Sequence, residues 1–173
     1  ELKGWDKVFL KLKARINKYA VLGNHDYGDY SKWENEKEKQ NNFNLIKKFY
    51  KDVDIKLLLN ESEIINTSNE TIAIVGVENW GKPPFKKYGD LLKALKGSEK
   101  IPFKILLSHD PTHWQEEIIK KTDIPLTLSG HTHGMQFGFN YKNMTWSPIK
   151  YKYKHWAGLY NQHNQYLYVN RGL

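Results

Sequence analysis

Apolar and polar residues alternate along this chain with two different periods. Over residues 3–15 the apolar positions Trp5, Val8, Phe9, Leu12 and Ile16 recur at helical spacing, which predicts a helix. Lys18 to Leu22 reads as a short strand closed by Gly23. Residues 31–50 predict a charged amphipathic helix, with Phe43, Leu45, Ile46, Phe49 and Tyr50 on its apolar side. Ser31 is the expected N-cap, with Glu34 at capping-box spacing. Three β-type runs follow, at 56–59, 64–67 and 71–77. Residues 90–96 predict a short helix, 103–107 a buried strand, 112–121 a helix and 125–128 another strand. The tail reads as a hairpin, 157–160 and 166–169 around Asn161–Gln165. Strands alternating with helices, then a β-rich end, define a layered α/β domain.

The length of 173 residues fits one domain. No apolar run reaches the roughly 20 residues that cross a bilayer, and no signal-peptide pattern is present. With no Cys, disulfide scaffolds, Cys-ligated zinc, thiol nucleophiles and iron–sulfur clusters are excluded. Lys and Arg number 27 against 19 Asp and Glu, a net +8, and only Arg15 and Arg171 are arginines. That balance favours anionic partners such as phosphate groups, anionic lipid or nucleic acid. A merely solvated Lys-rich surface explains it equally well.

The chemistry concentrates behind the predicted strands. Ala20-Val21-Leu22-Gly23 leads into Asn24-His25-Asp26. Ile105-Leu106-Leu107-Ser108 leads into His109-Asp110, and Leu126-Thr127-Leu128-Ser129-Gly130 into His131-Thr132-His133-Gly134. In open α/β sheets, ligands bind beyond the carboxyl ends of the strands. Three separate segments can therefore bring polar groups to one edge. An amide oxygen combined with several imidazoles suits first-row divalent metals. Gly130 and Gly134 are expected to let the backbone turn sharply around the His pair, as Gly23 does before Asn24. His113, His155 and His163 lie outside these settings and read as exposed or packing residues.

Gly23-Asn24-His25-Asp26, Ser108-His109-Asp110 and Gly130-His131-Thr132-His133, in this order and context, resemble the calcineurin-like metallophosphoesterases. The likeness extends to a bacterial membrane-linked branch related to UDP-2,3-diacylglucosamine hydrolases. It implies a β-sandwich flanked by helices. It also implies hydrolysis of a phosphomonoester or phosphodiester by two divalent ions (Mn, Fe, Zn or similar) that activate a water. Asn24, His109 and His131 correspond to ligands of one ion and His133 to a ligand of the second. His25 corresponds to the general acid, and imidazole ordinarily titrates near neutrality. Asp26 and Asp110 correspond to groups that orient neighbouring His side chains. The implied partner is a phosphate ester, with a lipid-linked one included, and no specific nucleic acid.

The family also uses an upstream D-x-H pair and a G-D-x-x-D box, and neither precedes Gly23 here. Four of seven expected ligand side chains are present. The expectation is a partial domain over 1–173 in a longer parent, impaired in isolation, with membrane association through segments outside this chain. Glu78, Asn79 and Trp80, in a loop stiffened by Pro83-Pro84, are candidates for a wall of the substrate pocket, the alternative being a surface loop pinned by Trp80 packing. Residues Gly134–Phe139 and Trp146 are candidates for an apolar approach. The alternating Lys150–Trp156 stretch is a candidate membrane contact or an edge strand with Lys facing water. Competing readings are an inactive scaffold of the same family, a single-zinc hydrolase on His109, His131 and His133, and a basic nucleic-acid-binding module. The zinc reading lacks an H-E-x-x-H motif, and the nucleic-acid reading lacks an RNP, KH or finger motif.

Overall fold

The computed structural model describes residues 4–83, 85–133, 139–141, 144–146 and 153–172. Its centre is a six-stranded sheet of β3 (Glu61–Asn66), β4 (Thr71–Gly76), β5 (Phe103–Leu107), β6 (Leu126–Ser129), β9 (Gly158–Gln162) and β10 (Gln165–Val169). The spatial order is β3-β4-β5-β6-β10-β9. The four inner strands β4, β5, β6 and β10 are mutually parallel, and antiparallel strands close both edges. A two-stranded parallel pair, β1 (Tyr19–Ala20) with β2 (Lys56–Leu57), lies on one face. A short antiparallel pair joins β7 (Phe139–Tyr141) to β8 (Met144–Trp146). The layered β-sandwich with flanking helices expected from the sequence is therefore present.

Burial explains the layers. On one face, Ala73, Val75, Val77, Leu106, Leu167 and Val169 pack under Leu91, Ala94, Trp114, Ile118, Ile119 and Ile124. On the other, Ile65 and Ile74 pack with Tyr19 of the small sheet and with Val21 and Leu58 just beyond its strands. Gly76 lets the two sheets meet, since a Cβ there would lie 2.2 Å from Leu58 Cβ. Central strands covered on both faces read as continuous apolar runs, as these do. Lys104 is the exception within β5, fully buried and ion-paired with Asp123 at 2.7 Å.

Three helix assignments need correction. The first helix, α1, spans only Asp6–Phe9 rather than 3–15. Trp5, Val8, Leu12 and Ile16 are all at least half exposed, and of the stripe Phe9 is the residue that packs on another element, its ring edge-on to Phe49 at 5.7 Å. A short helix with so little packing is marginal. The second, α2, is Glu36–Asp52, starting later than Ser31. Asn35 is its N-cap, accepting from the Glu38 amide at 3.0 Å, while Glu38 accepts from the Glu34 amide at 3.3 Å. Asn35 with Glu38 three residues on is itself a cap signal, and it outcompetes Ser31. The helix expected at 112–121 forms as one wide turn, Trp114–Ile118, with the Ile119 amide donating to the Trp114 carbonyl five residues back. The third helix, α3, is Leu91–Leu95, capped by Asp90, as expected. The tail hairpin turns at His163 and Asn164, both with left-handed backbone.

Candidate functional site

The carboxyl ends of β1, β5 and β6 feed three loops that meet. Asn24 follows β1, His109 follows β5 and His131 follows β6. Asn24 Oδ1 lies 3.1 Å from His109 Nε2 and 3.0 Å from His131 Nδ1, and the two ring nitrogens are 3.1 Å apart. Three donor atoms form a near-equilateral triangle. Ligands at about 2.1 Å from one ion and at right angles are separated by about 3.0 Å, so the triangle has the size of one face of an octahedral shell. Among the described residues no group of three His, Asp or Glu side chains gathers to hold a metal. The trio here is completed by an amide oxygen.

The electrostatics suit a cation. Two nitrogens 3.1 Å apart cannot both carry a proton. Burial pushes the His109 pKa down to about 3, with nearby His131, His133 and His25 lowering it further and Asp110 opposing. His109 is therefore neutral at ordinary pH and keeps a lone pair for a ligand. The outer face of each group is held as well. Asn24 Nδ2 donates to Tyr30 Oη at 3.1 Å, and His131 Nε2 lies 2.7 Å from Tyr153 Oη.

Local backbone geometry places these groups. His131 and His133 both adopt left-handed backbone, φ 67° and 48°. The sharp turn expected of Gly130 is thus carried by the histidines themselves, and Gly130 is not among the left-handed residues. Left-handed backbone costs a side-chain-bearing residue about 1–2 kcal/mol, and such strain clusters at functional sites. Thr132 between them is buried and donates to the Trp156 carbonyl at 2.7 Å. Gly23 has no room for a side chain, because a Cβ there would lie 2.7–2.8 Å from three atoms of the His109 ring. Gly23→Ala should therefore displace the His109 ring and weaken metal binding by about tenfold or more, of the order seen when a ligand's support is lost. Isothermal titration of the metal-free protein with Mn²⁺ reads this directly.

The structure places the remaining candidates as follows. His25 is exposed at the site's edge, its ring 5.0 Å from that of Tyr30. It opens onto a cleft of about 670 Å³ whose lining includes Trp33, Leu45, Ile46 and Phe49. His133 is exposed and packs near Gly172. Asp26 accepts from the Gly23 amide at 2.7 Å. Asp110 accepts from the amide and hydroxyl of Thr112, at 2.8 and 2.7 Å, and from the Lys82 amide at 3.4 Å. Glu78 accepts from Tyr27 and Asn60, and Asn79 and Trp80 are buried. The contact from that loop is made by Phe85, whose ring stands perpendicular to that of His131 at 5.2 Å. Asp29 ties the loop to the Asn24 turn. Burial raises its pKa, but bonds from Lys39, Lys86 and Tyr88 outweigh this and pull it to about 2. Residues 134–138, the side chains of Phe139 and Trp146, and residues 150–152 lie outside what is described. Tyr153 and Trp156 of the alternating stretch point inward and are buried.

Behind His109, His113 is fully buried, bridging Ser108 Oγ at 2.9 Å and Glu117 Oε2 at 3.2 Å and stacking on Trp80. No substrate reaches this Ser-His-Glu chain, so it acts as a brace. Burial lowers the His113 pKa to about 4, with Glu117 partly opposing. An unfolded His takes its proton near 6.5, so between pH 6.5 and 4 the unfolded chain binds the extra proton. Stability of the metal-free protein should then fall on acidification through that window, by up to about 1.4 kcal/mol per pH unit for this group. Urea midpoints at pH 7 and pH 5 should converge in His113→Gln relative to the unsubstituted protein.

Tyr30, Phe85, Thr132 and Tyr153 were not singled out by sequence reasoning. Tyr153 had a signal, since it is an aromatic in the alternating stretch Lys150–Trp156, and both Tyr153 and Trp156 are buried.

The layered α/β fold brings an amide oxygen and two imidazole nitrogens together beyond the strand ends, a donor set that suits a divalent metal. The calcineurin-like phosphoesterase family model matches residues 3–135, and the chain belongs to that family. It is 30% identical to a bovine (Bos taurus) transmembrane protein with metallophosphoesterase domain, over 94% of this chain and 35% of that protein. It is also 30% identical to the metallophosphoesterase YkuE of Bacillus subtilis, over 94% of this chain and 51% of that protein. The chain thus spans about half the length of these relatives or less. The NAD nucleotidase of Haemophilus influenzae shares the fold, with a TM-score of 0.50 at 18% identity, over 89% of this chain and 30% of that one. Among the described residues no helix is long and apolar enough to cross a membrane.

Proposed function

We propose that this protein hydrolyses a phosphate monoester or diester at the strand-end site. The observation that carries the reading is the 3.0–3.1 Å triangle of Asn24 Oδ1, His109 Nε2 and His131 Nδ1. In this reading those three side chains hold one divalent ion, and His133 contributes to a second. When bound, such ions supply Lewis-acid charge to a phosphoryl group and lower the pKa of water. His109 stays neutral and available through burial. His25, exposed at the rim, delivers a proton to the leaving oxygen. Phe85 and Tyr30 frame the mouth and limit water on the His131 side. Asp26 and Asp110 hold the loops from which His25 and His109 project.

The proposal takes residues 1–173 as one partial metallophosphoesterase domain. Of this chain's candidates only His133 is left for the second ion, so its other ligands come from polypeptide outside these residues. Membrane association, in the same reading, also comes from outside them. The test is hydrolysis by the intact, metal-loaded protein of p-nitrophenyl phosphate, bis-p-nitrophenyl phosphate and a lipid-linked phosphodiester. The last is included because the cleft beside His25 is lined in part by Trp33, Leu45, Ile46 and Phe49. Phosphate or alcohol release that a chelator stops and Mn²⁺ restores supports the reading. Full metal occupancy with no release from any of the three overturns it in favour of an inactive scaffold.

A further inference from the structure

We infer that Tyr153 is a positioning residue for the site: its hydroxyl accepts the outer ring N–H of His131 and so fixes which nitrogen is free to bind a cation. The inference rests on the metal-site reading above. His131 has two chemically distinct nitrogens. Nδ1 faces Asn24 Oδ1 and His109 Nε2, and Nε2 faces Tyr153 Oη at 2.7 Å. A neutral imidazole carries its proton on one nitrogen only. With the proton on Nε2 it is donated to Tyr153, and the Nδ1 lone pair points into the triangle. With the proton on Nδ1 the lone pair points at Tyr153 and the ion loses a ligand. Outer partners commonly set this choice for metal-binding His residues.

The surroundings make Tyr153 effective. It is buried, so bulk water does not readily substitute for its oxygen. The His131 ring is also wedged, with Phe85 perpendicular at 5.2 Å and Tyr153 tilted by 79° at 5.3 Å. Ring rotation is therefore confined and the proton position decides ligation. The segment that carries Tyr153 is anchored separately. Tyr160 Oη accepts from the amides of Trp156 and Ala157 at 3.1 and 3.3 Å, and Thr132 donates to the Trp156 carbonyl.

That separation supplies the control. Tyr153→Phe removes the acceptor and keeps the ring, while Tyr160→Phe loosens the anchor and leaves the His131 partner intact. Two readouts on the intact protein decide. Long-range ¹⁵N–¹H correlation spectra of the metal-free protein report the His131 tautomer, and Mn²⁺ titration reports affinity. The expected result is an Nε2–H tautomer lost in Tyr153→Phe, with a Kd for Mn²⁺ raised about 10–100-fold, and both retained in Tyr160→Phe. The inference is overturned by an unchanged tautomer in Tyr153→Phe, or by equal losses of affinity in the two variants. Failure of the unsubstituted protein to bind Mn²⁺ would instead refute the metal-site reading, and the tautomer spectra would still judge Tyr153.

Discussion

His109→Ala should lose its metal. Deleting this ring removes one of three converging donor atoms, and burial holds that ring neutral, with its pKa pushed down to about 3. The two remaining donors, Asn24 Oδ1 and His131 Nδ1, cannot enclose one side of a coordination shell. The expected rise in Kd for Mn²⁺ exceeds the roughly 10–100-fold that loss of an outer partner costs. Turnover should fall in step with occupancy and recover only in part at saturating Mn²⁺. His109→Gln, which keeps more of the volume against Gly23, separates ligand loss from packing loss. Equal metal content in the unsubstituted protein and both variants would remove His109 from the ligand set.

His25→Ala should behave in the opposite way. Its ring is exposed at the rim, against Tyr30 rather than inside the triangle. Metal content should stay within about twofold, while turnover falls by about two orders of magnitude, the usual size of a lost general acid. The loss should also depend on the leaving group. A p-nitrophenolate departs without a proton and should suffer least, whereas an alkoxide needs one and should suffer most. Plots of rate against leaving-group pKa, compared between the two proteins, read this out. Parallel loss of metal and activity would make His25 a ligand.

Much of this architecture is legible in the chain because it obeys simple periods. The runs ending at Gly23, Ser108 and Ser129 each predicted a strand delivering polar groups to one edge, and Asn24, His109 and His131 do meet there. The failures are also physical. The Trp5–Ile16 stripe has helical spacing, but spacing states only which face is apolar, not whether a surface exists to cover it. Asn35 displaced Ser31 as a cap because two cap signals lay four residues apart and local pattern does not rank them. The left-handed turn at His131 and His133 was invisible, since spacing favours glycine for such backbone and the bond that holds Thr132 between them runs to Trp156, distant in sequence. Phe85 and Tyr153 escaped because their partner, the His131 ring, belongs to another loop, while Tyr30 meets Asn24 and His25 of its own loop through a turn that no hydrophobic period marks. The carboxylates Asp26 and Asp110, assigned by resemblance, bind backbone amides and Thr112, and the Asp110–Thr112 contact is an Asx turn that the local sequence permits without specifying.

The most direct measurement is a crystal of the intact protein grown with Mn²⁺, with diffraction data collected on both sides of the manganese absorption edge. The account predicts an anomalous peak about 2.0–2.3 Å from Asn24 Oδ1, His109 Nε2 and His131 Nδ1. A fully occupied peak elsewhere, with these three side chains still hydrogen-bonded only to one another, would contradict it.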